Sequence, residues 1–130
     1  MTEKLPRVLI VDDEPDMCWA LQRILDPSEF AVTVTTRGAE ALALLETTSF
    51  ALAFVDAKIP DLDGMELAGL IRKRSPRTRI VLISGYFYQE DPAITEGLHN
   101  QVFIGFIAKP FDIQDVRTIA RRAVQMSQEG

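Results

Sequence analysis

Apolar residues recur along this chain with two different periods. Runs of strand length occur at 8–12 (VLIVD), 31–35 (AVTVT), 50–56 (FALAFVD), 80–84 (IVLIS) and 103–108 (FIGFIA). Between these runs the apolar positions repeat every three to four residues: Met17, Ala20, Leu21, Ile24 and Leu25; Ala41, Leu42 and Leu45; Leu67, Leu70 and Ile71; Val116, Ile119, Ala120 and Ala123. Such spacing lines one face of a helix. Pro15 suits a first helical turn, and Asp63 before Gly64 is placed to cap the third helix. After Ser84 the helical period weakens, and only about 91–98 (DPAITEGL) is compatible with a helix. Strand and helix alternating in this way predict an α/β fold in which a parallel sheet is covered on both faces, because strands buried on both sides must be apolar nearly throughout.

Composition narrows the picture. A chain of 130 residues predicts one domain around one core, here 7–125, with short tails at 1–6 and 126–130, the latter the end of a helix or the start of a linker. The balance of 47% apolar and 25% charged residues is that of an ordinary globular domain. No apolar run approaches the roughly 20 residues of a membrane span. The opening MTEKLPR lacks the apolar core of a signal peptide. The lone Cys18 excludes an intramolecular disulfide and fits a cytoplasmic location. A net charge of -5 argues against direct nucleic-acid binding by this domain.

In an open parallel sheet, sites form beyond the carboxyl ends of the strands. The polar residues at those ends are Asp12 and Asp13, Asp56, Ser84 and Lys109. Each has an ordinary explanation on its own. Asp12 or Asp13 could cap the helix starting near Pro15, Asp56 could cap a turn, Ser84 could be a loop hydroxyl, and Lys109 could be solvated. Three like charges in VLIVDDE, however, repel one another and call for a cation nearby. Together the set suits phosphoryl capture: Asp56 as nucleophile, Mg2+ held by Asp13, Asp56 and a main-chain carbonyl, and Asp12 acting directly or through water. Lys109 would clamp the phosphoryl oxygens and Ser84 would donate a hydroxyl to one of them.

VDDE, Asp56 at a strand end followed by PDLDG (60–64), SGY (84–86) and AKPF (108–111) resemble, in order, the signature of receiver domains in two-component response regulators. The resemblance covers nearly the whole chain. It implies a flavodoxin-like sheet of order 2-1-3-4-5 with about five helices, and a phosphoryl group passing from a phosphohistidine of a sensor histidine kinase or phosphotransfer protein to Asp56. It further implies Mg2+ at the acidic cluster with the Lys58 carbonyl as a ligand, a cis bond between Lys109 and Pro110, and movement of Ser84 coupled to Phe106. The readout would lie on the fourth helix, fifth strand and fifth helix, acting on a partner, an attached output domain or a second copy. Catalysis would be confined to the domain's own phosphorylation and dephosphorylation.

Departures from the family pattern cluster near the switch. Lys58 lies two residues past Asp56, and its side chain would shield the phosphoryl group, pair with an acid or be solvated. Gly85 stands where alanine is common, and a longer 84–109 segment predicts a short or irregular fourth helix. Tyr86, Phe87 and Tyr88 read as a partner patch or as aromatics packed on their own domain, His99 as surface polar, and Cys18 and Trp19 as ordinary residues of the first helix, Trp19 on its outer edge. VDDEPDMCWALQRIL is also similar to receivers of transcriptional activators that carry ATPase and DNA-binding domains. Two alternatives stand beside the switch. One is a haloacid dehalogenase-like, Mg2+-dependent aspartyl-phosphate phosphatase, although Glu14 rather than Asp stands two positions after Asp12. The other is a degenerate receiver serving only for docking or dimerisation, against which the intact Asp13, Asp56, Ser84 and Lys109 count. If the Lys58 side chain shields the phosphoryl group, Lys58→Ala will change the dephosphorylation rate more than the rate of phosphoryl uptake; single-turnover measurements of both check this, and an unchanged lifetime removes the role.

Overall fold

The computed structural model describes residues 5–85 and 91–129. Strands and helices alternate strictly: β1 (Arg7–Val11), α1 (Pro15–Ile24), β2 (Ala31–Thr35), α2 (Gly38–Thr47), β3 (Leu52–Asp56), α3 (Gly64–Arg74), β4 (Arg79–Ser84), α4 (Pro92–His99), β5 (Gly105–Ala108) and α5 (Ile113–Glu129). The strands are parallel in the order β2-β1-β3-β4-β5, the flavodoxin-like sheet expected from the sequence.

Successive side chains of a strand point to opposite faces, so a central strand feeds two cores. Val8 and Ile10 of β1 join Leu52, Phe54, Val81 and Ile83 under α1 and α5, against Leu21, Ile24, Val116 and Ala120. Leu9 and Val11 join Ala53, Val55, Ile80 and Leu82 on the other face, against Ala41 of α2, Leu67 and Ile71 of α3 and Ile94 of α4. Each fully buried Leu, Ile or Phe contributes about 1.5–3 kcal/mol relative to exposure. Edge strand β2 alternates between exposed and half-buried positions before the buried Thr35, as a strand with one open side should.

Two apolar runs begin before their strands. Phe50 is buried yet precedes β3, and Phe103 is fully buried yet precedes β5. Phe103 sits against Gly97 of α4, where an added Cβ would lie 2.4 Å from its ring. Burial, not strand pairing, makes these residues apolar.

The helix ends are held in different ways. Pro15 opens α1, but neither Asp12 nor Asp13 caps it: the N-cap is Glu14, which makes no side-chain cap bond, and Asp12 Oδ1 instead accepts the Glu14 N–H at 2.9 Å. Asp63 does cap α3, accepting the Met65 N–H at 2.7 Å. The cap of α2 comes from far along the chain. Asp61 accepts the N–H groups of Gly38 and Ala39 at 2.9 and 3.0 Å, which holds its carboxyl below the usual range. α4 has 8 residues, short as expected, and closes with Val102 N–H donating to Gly97 O and Gln101 N–H to Leu98 O. This Schellman closure places Gln101 at φ 59, where glycine is usual. The Arg72 guanidinium of α3 donates to the Gln101 carbonyl.

Gly64 makes the closest approach to backbone among the described glycines. A Cβ there would lie 2.2 Å from Asp56 O and 2.5 Å from Ala57 Cα, both backbone atoms that cannot swing aside. The N–H of Gly64 also donates to Ala57 O at 3.0 Å, seating α3 on the end of β3. Gly64→Ala should therefore destabilise the protein by about 1–3 kcal/mol. Gly69→Ala, in the same helix with none of the described residues within 4 Å of its Cβ, should instead stabilise by about 0.5–1 kcal/mol. Urea denaturation of the two variants checks the contrast.

Candidate functional site

The sheet order reverses between β1 and β3, since the chain runs from β1 outward to β2 and then returns to the other side of β1. The helices leaving these two strands depart to opposite faces, α1 to one and α3 to the other, and the strand ends between them are left open. Asp12 follows β1 and Asp56 ends β3 at this opening. Asp12 continues the β1–β2 ladder through its N–H to Thr35 O at 3.1 Å.

Asp12 is 1% and Asp56 4% exposed, while Asp13 and Glu14 reach solvent. Carboxylate oxygens of Asp12, Asp13, Glu14 and Asp56 all lie within 4.8 Å of one another. The Lys109 ammonium answers three of them. Lys109 Nζ donates to Asp12 Oδ2 at 3.2 Å, to Asp56 Oδ2 at 3.1 Å and to Glu14 Oε1 at 2.9 Å. It comes from the residue after β5, the far edge of the sheet, and reaches β3 and β1. The Lys109–Pro110 bond is cis, and the Lys109 N–H donates to Ser84 O at 2.9 Å.

Electrostatics follow from this crowding. Burial pushes the Asp12 carboxyl up to about 6, the Glu14 N–H bond lowers it, the Asp56 charge raises it and Lys109 lowers it. Burial disfavours the Lys109 ammonium, but Glu14, Asp12 and Asp56 outweigh it and hold the group above the ordinary lysine range. Cys18 is buried beside the cluster, and burial together with the Asp12 charge pushes its thiol up to about 11, so it stays protonated and donates to Asp12 O at 3.2 Å.

The remaining predicted residues fall as follows. Ser84 ends β4, is fully buried, and has Ala108 as its register partner. The Lys58 N–H donates to Asp56 Oδ1 at 3.1 Å, its exposed side chain borders the open cleft with Ile59, Pro60 and Gly85, and an isolated bridge joins it to Asp63. At Gly85, among the described residues, an added Cβ would meet only Lys109 Cβ, at 3.7 Å, which leaves room for alanine beside them. Phe106 does not enter the cluster; it is half-buried on β5, packs with the α2–α4 core, and borders a groove along α5. His99 is exposed, and Trp19 is 62% exposed with the Arg23 guanidinium 5.2 Å from its ring centre. Tyr86, Phe87 and Tyr88 lie outside the described residues. Two participants were not assigned from the sequence. Glu14 joins the cluster as a partner of Lys109, and Asp61 ties the loop after β3 to α2. For Glu14 the signal was present, as the third acid of VLIVDDE.

A cluster of carboxylate oxygens with one ammonium is a hard, all-oxygen donor set that fits Mg2+ and not a soft metal. Among the described residues no helix is long and apolar enough to cross a membrane.

Residues 8–121 match the family model described as the response regulator receiver domain. The chain is 34% identical over 125 residues to the hydrogenase transcriptional regulatory protein HoxA of Cupriavidus necator, covering 96% of this chain and 25% of HoxA. It is 27% identical over 122 residues to the DNA-binding transcriptional regulator NtrC of Escherichia coli, covering 94% of this chain and 25% of NtrC. The chain thus spans about a quarter of the length of these curated relatives. Among solved structures, a CheY-like response regulator receiver domain protein from Methanospirillum hungatei superposes with a TM-score of 0.84 at 28% identity, covering 98% of this chain and 100% of that one.

The raised Asp12 carboxyl sets a pH dependence. Its folded value of about 6 lies above the unfolded 3.8, so its contribution to stability is fully present below about pH 4 and lost as pH rises through about 6. Asp12→Asn should stabilise the metal-free protein at pH 8 by about 1–3 kcal/mol and give little at pH 4. Urea denaturation with chelator at both pH values checks the sign.

Proposed function

Since the chain belongs to the response regulator receiver domain family, we propose that it is a phosphoacceptor switch in which Asp56 takes a phosphoryl group from a phosphohistidine. The observation that carries this reading is the convergence of Asp12, Asp56 and Glu14 on Lys109 Nζ at the open sheet edge. A carboxylate oxygen of Asp56 attacks phosphorus, the phosphorus–nitrogen bond breaks, and the imidazole of the donor leaves with the electron pair and takes up a proton. Hydrolysis reverses the change: water attacks phosphorus, inorganic phosphate leaves, and the Asp56 carboxylate is restored.

Each residue near Asp56 has a part in that scheme. Lys109 neutralises charge on the phosphoryl oxygens in a partly buried setting, where a fixed cation is worth more than in water. Ser84 supplies a hydroxyl to one of those oxygens. Asp12, Asp13, Asp56 and the Lys58 carbonyl would hold Mg2+, which supplies charge neutralisation at the transferring group. The Lys58 N–H already holds one Asp56 oxygen, so the acceptor is oriented before any donor arrives.

Phosphorylation adds about -1.5 to -2 charges and three acceptor oxygens at this edge. The chain responds through the arrangement whose Ser84 and Lys109 bond those oxygens better. Ser84 and Ala108 are register partners, as are Leu82 and Phe106, so a shift at the end of β4 is felt along β5. The readout face is then α4, β5 and α5. Partners are a sensor histidine kinase or phosphotransfer protein on the input side and, by likeness to HoxA and NtrC, an attached output domain of a transcriptional regulator. Incubation with Mg2+ and a small phosphodonor should add one phosphate to the wild type and none to Asp56→Asn, read by intact mass. An adduct on both proteins would place the acceptor elsewhere.

A further inference from the structure

A lysine ammonium has three N–H donors. In this structure Lys109 Nζ donates to three carboxylates, one each from Asp12, Glu14 and Asp56, at 3.2, 2.9 and 3.1 Å. A phosphoryl oxygen that bonds Lys109 therefore has to displace one of them. The three are not equally replaceable. While the donor approaches, Asp12 and Asp56 are both still carboxylates with side chains 1% and 5% exposed, so removing their cation at that stage leaves charge stranded away from water. The side chain of Glu14 is 59% exposed, so water can take over its oxygen at little cost.

Glu14 also sits where an incoming group must pass. It borders the open cleft together with Asp13, Asp56, Lys58 and Lys109, whereas Asp12 lies beneath them. Its backbone is fixed by the bond from its N–H to Asp12 Oδ1 at 2.9 Å and by its place as the N-cap of α1. The backbone can stay in place while the side chain turns outward.

We infer that Glu14 is a positioning residue that occupies the phosphoryl-oxygen place on Lys109 in the unphosphorylated protein and is displaced when Asp56 is phosphorylated. The inference rests on Asp56 being the phosphoryl acceptor. Glu14 thereby aims the ammonium across the mouth of the site before a donor binds, and it competes with the phosphoryl group afterwards. It acts through Lys109 and not as a ligand of the metal.

The test compares wild type, Glu14→Gln and Glu14→Asp in uptake of phosphate from acetyl phosphate with Mg2+, followed by intact mass. Gln removes the charge, and Asp keeps it on a stem one methylene shorter that no longer spans to Nζ. Both variants should take up phosphate about two- to fivefold faster than wild type at low ionic strength, the range an exposed ion pair is worth. The difference should shrink toward zero near about 1 M salt, where such a pair is screened. Mg2+ affinity, measured by titration without donor, should stay within about twofold of wild type.

Slower uptake by Glu14→Gln, or a loss of Mg2+ affinity of about tenfold or more, would make Glu14 part of the metal site and overturn the inference. Unchanged rates in both variants would overturn it too. So would an Asp variant that matches wild type while Gln is faster, because the cause would then be repulsion of the donor and not the contact with Lys109. A wild type that takes no phosphate on Asp56 would fail the proposed function itself, and this inference with it.

Discussion

One ammonium decides whether this sheet edge can exist in the form observed. Parallel pairing brings every strand to its carboxyl end on the same side of the molecule, and here β1 and β3 both end in buried acid. Two carboxylates 4 Å apart repel by about 4 kcal/mol at an effective dielectric of 20. Lys109, sent across from β5, meets them with one N–H each. The Asp12 and Lys109 values are both raised, and together they report the same balance: burial and a neighbouring acid make one carboxyl reluctant to ionise, while three acids keep the amine charged. The like charge at the end of the first apolar run is tolerable because a cation from the other end of the chain answers it.

The rest of the architecture serves that meeting. Two apolar layers clamp the central strands from both faces, so the ends of β1 and β3 are held in register with little freedom to part. Gly64 lets α3 sit directly on the backbone of Asp56 and Ala57, which ties β3 to the layer beneath it. The hydrogen bond from the Lys109 N–H to Ser84 O joins the ends of β4 and β5, so the residue that carries the cation and the buried hydroxyl beside it share one hinge of backbone.

The fold was readable because its forces are those that shape composition locally. Strands buried on both faces must be apolar almost continuously, and helices with one buried face must repeat every three to four residues, so elements and class follow from the pattern. Strand starts were less legible: Phe50 and Phe103 are apolar for reasons of packing and precede the paired residues. At the site, Asp12, Asp56, Ser84 and Lys109 stood out as polar residues ending apolar runs. Glu14 did not, because its partner lies 95 residues away and an exposed acid next to two others looks like mere surface charge. The closure of α4 on Gln101 was equally hidden, since a left-handed position is normally announced by glycine or asparagine and here the fold imposes it on another residue.

The cap that Asp61 provides to α2 has a further meaning for how this chain can be altered. The stretch from Ala57 to Asp63 has the appearance of an independent loop, yet it supplies the amino terminus of a helix laid down 23 residues earlier with its first acceptor. Transplanting that loop from a relative would remove a fastening from a neighbour that never changed sequence. Chimeras cut at the ends of β3 and α3 would inherit a frayed α2 unless the donor loop brought its own acid to the same spot, so the natural seam for exchange lies elsewhere on the molecule.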